Sequence, residues 1–420
     1  MTNQERQGWF IVASLFITVL LLVGGGYDTT TVFIPALIKH FGWSRARVSM
    51  LPSMLAITFG LGSPLFGMLV DRVEARFVIV GGAIASGVAY LLVSQMNSFA
   101  PMLAAYLLLG AGISAGSLVP GAFVITNWFT RRRGLALGIF TAGTTAGAML
   151  MTLIANFAIS HSGWRAAYIA LGIPMIAVII PLVLLTVRSR PPGEVKLSVA
   201  QAADVLEGFE TGAALRTRSF WLIAFAQFCF ILCGTGAVLH LVAYLNDLGY
   251  QSGNSALAVS AAFGFSSLGK ILMGLIADRV TGRIALGVNF IAQAFSLFLA
   301  LYVIHTEVLV MFVVLFGLTV GSALGLVPMM IAESLGVRRF GSISGLVSLA
   351  NTLGAAIGPV VSGWIHDQTG SYANAFELFI ALNILGCFAC FACRSYDSER
   401  RHMSHAPAPA SPASDHHLQA

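Results

Sequence analysis

The sequence predicts an all-α integral membrane protein with twelve transmembrane helices in two pseudo-symmetric six-helix halves. Three observations predict it. First, 57% of the 420 residues are hydrophobic and only 10% are charged, whereas a soluble chain of this size carries about 25% charged residues. An ordinary soluble enzyme is therefore excluded. Second, residues 77–125 contain no Asp, Glu, Lys or Arg, and a helix crosses a bilayer core in about 20 apolar residues, so that stretch holds two crossings and a turn. Third, motifs recur along the chain at a single displacement of 207 residues.

Apolar runs bounded by charges or turn residues place the spans in order at 9–37, 48–70, 77–96, 101–126, 135–159 and 166–187, then at 219–246, 255–277, 284–304, 308–332, 343–366 and 374–393. Span one is too long for a signal-peptide core, and its flank Met1 to Gly8 carries one acid and one base, so cleavage is not expected. Residues 1–187 thus form the first half and 219–393 the second. Between them, 188–218 is a linker that opens with Pro191, Pro192 and Gly193 and continues as an amphipathic segment from Ser198 to Phe209. The tail 394–420, rich in Ala, Pro and His, is expected to be disordered. None of these pieces is large enough to bury a core of its own, so no catalytic domain is expected and the protein is not an enzyme.

Eighteen basic residues fall on the side of the two termini and four, Lys39, Arg45, Arg47 and Arg165, on the other. The excess predicts a multi-pass cell-membrane protein with both termini cytoplasmic. The basic balance is a topology signal, and no nucleic-acid partner is expected. The five cysteines lie in spans seven and twelve, without a nearby His or acid, and read as small packing residues, not as a metal or disulfide framework. No phosphate-binding Gly-Lys-Ser/Thr motif is present, so nothing points to ATP drive. No cofactor or metal is expected.

Gly67-Met-Leu-Val-Asp71-Arg72-Val-Glu-Ala-Arg76 recurs as Gly274-Leu-Ile-Ala-Asp278-Arg279-Val-Thr-Gly-Arg283, and the same displacement relates Gly134, Gly138, Gly147 and Gly163 to Gly341, Gly345, Gly354 and Gly370. Duplicated six-span halves around a midplane cavity are the plan of many secondary transporters. The repeated loop resembles the signature of the major facilitator superfamily, which implies the major facilitator fold. In each copy the Gly permits close helix approach, while Asp71 or Asp278 and the arginines are expected to pair with one another and with helix ends of the same half, forming a latch on one of two alternating conformations.

Gly8-Trp9, the loop Phe41-Gly42-Trp43-Ser44-Arg45, and Asn127-Trp128-Phe129 followed by Arg131-Arg132-Arg133-Gly134 resemble the branch that holds monocarboxylate transporters and oxalate:formate antiporters. That branch implies small organic carboxylates as substrates and a cation in span eight as their partner. The position holds Lys270, where the branch usually has Arg, so a point charge replaces a planar fork. Oxalate exchangers of the branch carry a second cation in span eleven. Here no Lys or Arg lies between Gly341 and Ile365, which favours a monoanion.

Lys270 lies eight residues before Asp278, about 12 Å into the membrane. A Lys there costs about 2.5–3.5 kcal/mol, so it should face the cavity and meet an anion. Its first-half counterpart is Ser63. Asp28 follows three glycines in span one and is either a proton-coupling acid or the partner of Lys270, with Tyr27 beside it offering a hydroxyl to a carboxylate. His240 in span seven is a second candidate to take up a proton or donate to the substrate, and Tyr244 lies one turn away on the same face. Asn351 in span eleven matches Thr144 in span five. Small-residue runs in spans five and eleven read as close helix packing.

The functional expectation is alternating access by a monomer that moves a small carboxylate, together with protons, through the lipid bilayer. Exchange of the oxalate:formate type and export of hydrophobic compounds are the alternatives; Phe and Met residues in the spans favour the latter.

Overall fold

The computed structural model describes residues 3–191, 206–303 and 305–404, so the Ser198 to Phe209 segment is seen only from 206 on and the Ala-Pro tail lies outside the described residues. Hydrocarbon offers backbone groups no partners, and the described chain answers with helices. Span one is Asn3–Val19 continued by a π-helix over Leu20–Asp28 and by Thr30–Phe41. Spans two and three are Arg45–Val70 and Ala75–Gln95. Span four is broken into Phe99–Gly116 and Leu118–Trp128. A continuous run from Arg133 to Thr186, 54 residues long, is more than twice what a bilayer needs. Gly163, at φ 82° and ψ 167°, interrupts it and divides span five from span six.

In the second half, spans seven, eight and nine are Arg218–Asp247, Ser252–Arg279 and Gly282–Ala300. Span ten bends by 40° between Thr306–Val320 and Ala323–Leu335. Spans eleven and twelve are Phe340–Thr369 and Ala373–Ala392. With span ten taken as one bent span and the long run taken as two, twelve crossings result, as the sequence predicts.

The repeat is visible in the backbone itself. Gly42 and Gly249 both take positive φ, 66° and 89°, as do Gly163 and Gly370, 82° and 71°. Each pair is 207 residues apart, and each ends a helix in a conformation that only glycine adopts freely.

Two seams join the halves, span two against span eleven and span five against span eight. A Cβ on Gly67 would meet the backbone of Gly341 and Gly345, and one on Gly345 that of Ser63. On the other seam Gly134 meets Gly274 and Gly138 meets the backbone of Lys270. The seams are thus glycine contacts related by the repeat, and they lie toward the end that carries the basic loops.

One expectation about the ends needs correction. The tail is not irregular from 394: Tyr396–Ser404 is a helix, with Glu399 accepting from the Ser219 amide at 3.3 Å and Tyr396 packed edge-on to Phe209. The end of the linker is also anchored, since Gly208 bridges to Gly336 and Glu210 pairs with Arg338 and Arg339.

Candidate functional site

The loop aspartates depart from the expected pairing. Asp71 accepts from the amides of Gly341 and Ser342 at 2.9 and 2.8 Å and from the Ser342 hydroxyl at 2.5 Å. Asp278 accepts from the amides of Gly134 and Leu135 at 2.6 and 2.8 Å. Each carboxylate therefore caps the N-terminus of a helix in the opposite half, where unpaired amides and the helix dipole favour a negative charge. The expectation of same-half pairing is wrong, because Gly67 and Gly274 bring the seam backbones together and leave the aspartates facing across it. Arg72 and Arg279 are exposed. Arg76 lies over the Phe77 ring at 4.8 Å, and Arg283 donates to the Cys393 carbonyl at 2.9 Å. Burial raises the Asp71 carboxyl above its ordinary value, against the opposing pull of its three donors and of Arg339.

Lys270 is 4% exposed and reaches across the seam between spans five and eight. Its ammonium donates to the Thr141 carbonyl at 3.2 Å, to the Thr144 hydroxyl at 2.8 Å and to the Thr145 hydroxyl. All three donors of the ammonium are thereby used by neutral oxygens of the other half. The side chain passes over Gly321 at the break of span ten, where a Cβ would collide with its Cε. Thr141, Thr145 and Gly321 belong to the site without having been singled out in sequence. Only the displacement that pairs Thr144 with Asn351 pointed toward them.

Lys270 lines a cavity of about 350 Å³ together with Asp28, Thr144, Thr145, Ser266 and Pro359. From Lys270 it runs away from the basic loops, between Phe263 of span eight and Leu239 of span seven. Asp28, at the end of the π-helix, faces the same space, where its charge acts on that of Lys270. The glycines before it explain how it gets there. Gly24 lies against the backbone of Gly147 and Ala148, so span one packs tightly on span five and the wide π turns deliver Asp28 to the cavity.

The other sequence candidates are elsewhere. His240 lies between the Tyr372 hydroxyl, 3.2 Å, and the Pro359 carbonyl, 3.0 Å, so both ring nitrogens are engaged behind the cavity wall. Tyr244 donates to the Ala300 carbonyl at 2.5 Å. Tyr27 packs against Phe59 with ring centres 5.3 Å apart. Asn351 accepts from Gln227 at 3.0 Å in a separate cavity on the seam between spans two and eleven. The structure therefore joins Lys270 and Asp28 and separates them from His240, Tyr244 and Asn351.

The major facilitator superfamily model matches residues 16–269 and 246–417. The chain belongs to this superfamily. It is 27% identical over 389 residues to an uncharacterised transporter of the superfamily, YcxA of Bacillus subtilis (strain 168), an alignment covering 89% of this chain and 91% of that one. It is equally 27% identical over 390 residues to monocarboxylate transporter 13 of Bos taurus, covering 90% and 87%. Among solved structures, the fucose:proton symporter FucP of E. coli superposes with a TM-score of 0.72 over 91% of this chain and 98% of that one, at 12% identity. This superfamily member is a membrane transporter and not an enzyme, with the fold the repeat predicts.

Proposed function

We propose that the protein moves a small organic anion, a monocarboxylate, across the cell membrane by proton-coupled alternating access. One observation carries the reading: a buried ammonium, Lys270, whose hydrogen bonds go to neutral oxygens, faces an open cavity that it shares with Asp28. A cation so placed favours an anionic ligand. Relatives named as monocarboxylate transporters support a carboxylate, and the lack of Lys or Arg between Gly341 and Ile365 favours a monoanion.

Charge balance supplies the coupling. Lys270 and Asp28 together leave the empty cavity neutral. A bound monoanion alone would make it negative in a low-dielectric setting, and a proton on Asp28 restores neutrality. Proton and anion therefore load together, and His240, fully engaged elsewhere, is not needed. With the basic loops cytoplasmic, the cavity opens outward and the aspartate caps hold the inner side shut. Rocking of the halves requires both caps to release.

Uptake of labelled lactate, pyruvate and formate into proteoliposomes tests this. Uptake of at least one should accelerate when the outside is made acid and should ignore the membrane potential, since one proton and one monoanion move no net charge. Uptake driven by potential, or indifferent to a pH gradient, contradicts the coupling.

A further inference from the structure

A second cavity, of about 50 Å³, lies between the halves on the seam of spans two and eleven. Its lining includes Phe59, Ser63, Ser114, Asn351 and Thr352. Displaced by 207 residues, these five become Ser266, Lys270, Gly321, Thr144 and Thr145, all of which line the lysine cavity. The two cavities are therefore the same place in the two copies of the repeat. They differ in chemistry. Of the eighteen described residues lining the smaller cavity, none is charged and eight carry a hydroxyl or an amide.

Such a concentration of polar groups in a buried seam needs partners, because an unpaired buried group keeps its desolvation cost uncompensated. Some pair internally: Ser63 with Ser114 at 3.4 Å and Gln227 with Asn351 at 3.0 Å. Two atoms do not: Gln227 Oε1 and Ser117 Oγ have no partner among the described residues, although their residues are only 4% and 1% exposed. The cavity adjoins the lysine cavity through two elements. On span seven, Gln227 of one lies a single turn from Ile231 of the other. On span ten, Gly321 and Ala323, two residues apart at the break, line one each.

We infer that this neutral cavity is a second subsite of the transport pathway, taking a hydroxyl, oxo or amide group of a substrate whose carboxylate sits at Lys270. The inference rests on the anion reading above and narrows its substrate class to monocarboxylates with a neutral polar group at the far end. At 50 Å³ the subsite holds a few waters in the present conformation. Separation of spans two and eleven, which touch at Gly60 and Thr352, enlarges it as the inner side opens. An unpartnered carbonyl at Gln227 accepts from a hydroxyl and the Ser117 hydroxyl donates to an oxo group. A second carboxylate finds no cation there.

Labelled butyrate, 3-hydroxybutyrate, 4-hydroxybutyrate and succinate, presented to proteoliposomes, test the subsite. The wild type should take up at least one hydroxybutyrate about tenfold faster than butyrate, the worth of one good hydrogen bond, and should leave succinate. Gln227→Leu and Asn351→Leu should each bring the ratio of hydroxybutyrate to butyrate close to one. Ser117→Ala, which removes the unpartnered hydroxyl with little change in packing, should lower it about threefold. A ratio unmoved in all three variants, or butyrate preferred by the wild type, overturns the subsite. Lys270→Gln separates the two readings: loss of all uptake with an unmoved ratio in the other variants sinks the subsite alone, whereas retained uptake sinks the anion site itself.

Discussion

The two seams between the halves share one scaffold and differ in one charge. On each, glycines bring two helices into backbone contact, and an aspartate at the end of one caps the start of the other, Asp71 on Gly341 and Ser342, Asp278 on Gly134 and Leu135. At mid-depth, however, the seam between spans five and eight holds Lys270 where its counterpart holds Ser63. On the proposed function, closure belongs to the repeat and ligand choice to its departure from symmetry, since a monoanion needs only one charge.

The comparison can be broken at either level. Short of removing the lysine, the largest effect is expected from Gly67→Val, whose side chain would enter the Gly341 backbone. The closed inner side should then fail to form, with turnover falling about a hundredfold, since overpacking at a rigid contact costs about 1–3 kcal/mol or more. Thr145→Val removes one acceptor from a buried ammonium, a charged hydrogen bond worth about 1.5–3 kcal/mol. It should raise the KM for the anion about thirtyfold while the matched Thr352→Val leaves it far less affected.

The latches should prove unequal. Asp71 is buried with three donors and Asp278 is half-buried with two. With a cysteine placed at Ser348, which lines the cavity on the seam of spans two and eleven, as a reporter of inner opening, Asp71→Ala should raise its alkylation rate about tenfold and Asp278→Ala about threefold. Equal effects would show that burial of the cap does not matter. The smallest effect belongs to His240→Gln. An amide can keep at least one of its two contacts, so uptake and its pH dependence should stay within about twofold. A loss of proton coupling in this variant would move the proton carrier from Asp28 to His240.

Much of this was legible in the chain. The charge deficit gave the membrane, the 207-residue displacement gave two halves, and the depth of Lys270 gave a cavity-facing cation. The latch partners were not legible, because Asp71 and Gly341 are 270 residues apart and only the fold brings them together. His240 and Tyr244 read as site candidates since a polar residue in a span always invites that reading. Which way a helix face turns depends on its neighbours, and here they turn toward Tyr372, Pro359 and Ala300. The π-helix was half visible: three glycines signalled close packing or unwinding, and the chain widens its turns against span five instead. The threonine cradle was hidden among residues that, in a membrane helix, ordinarily bond their own backbone.

The central claim is that one buried ammonium on one seam selects the anion. Its most direct test is proteoliposome uptake of the best labelled monocarboxylate by the wild type, Lys270→Gln and Lys270→Arg, with equal folded protein in each. Uptake should fall more than a hundredfold with Gln, since the anion then meets no positive charge, and should persist within about tenfold with Arg. Wild-type rates with Gln would contradict the account.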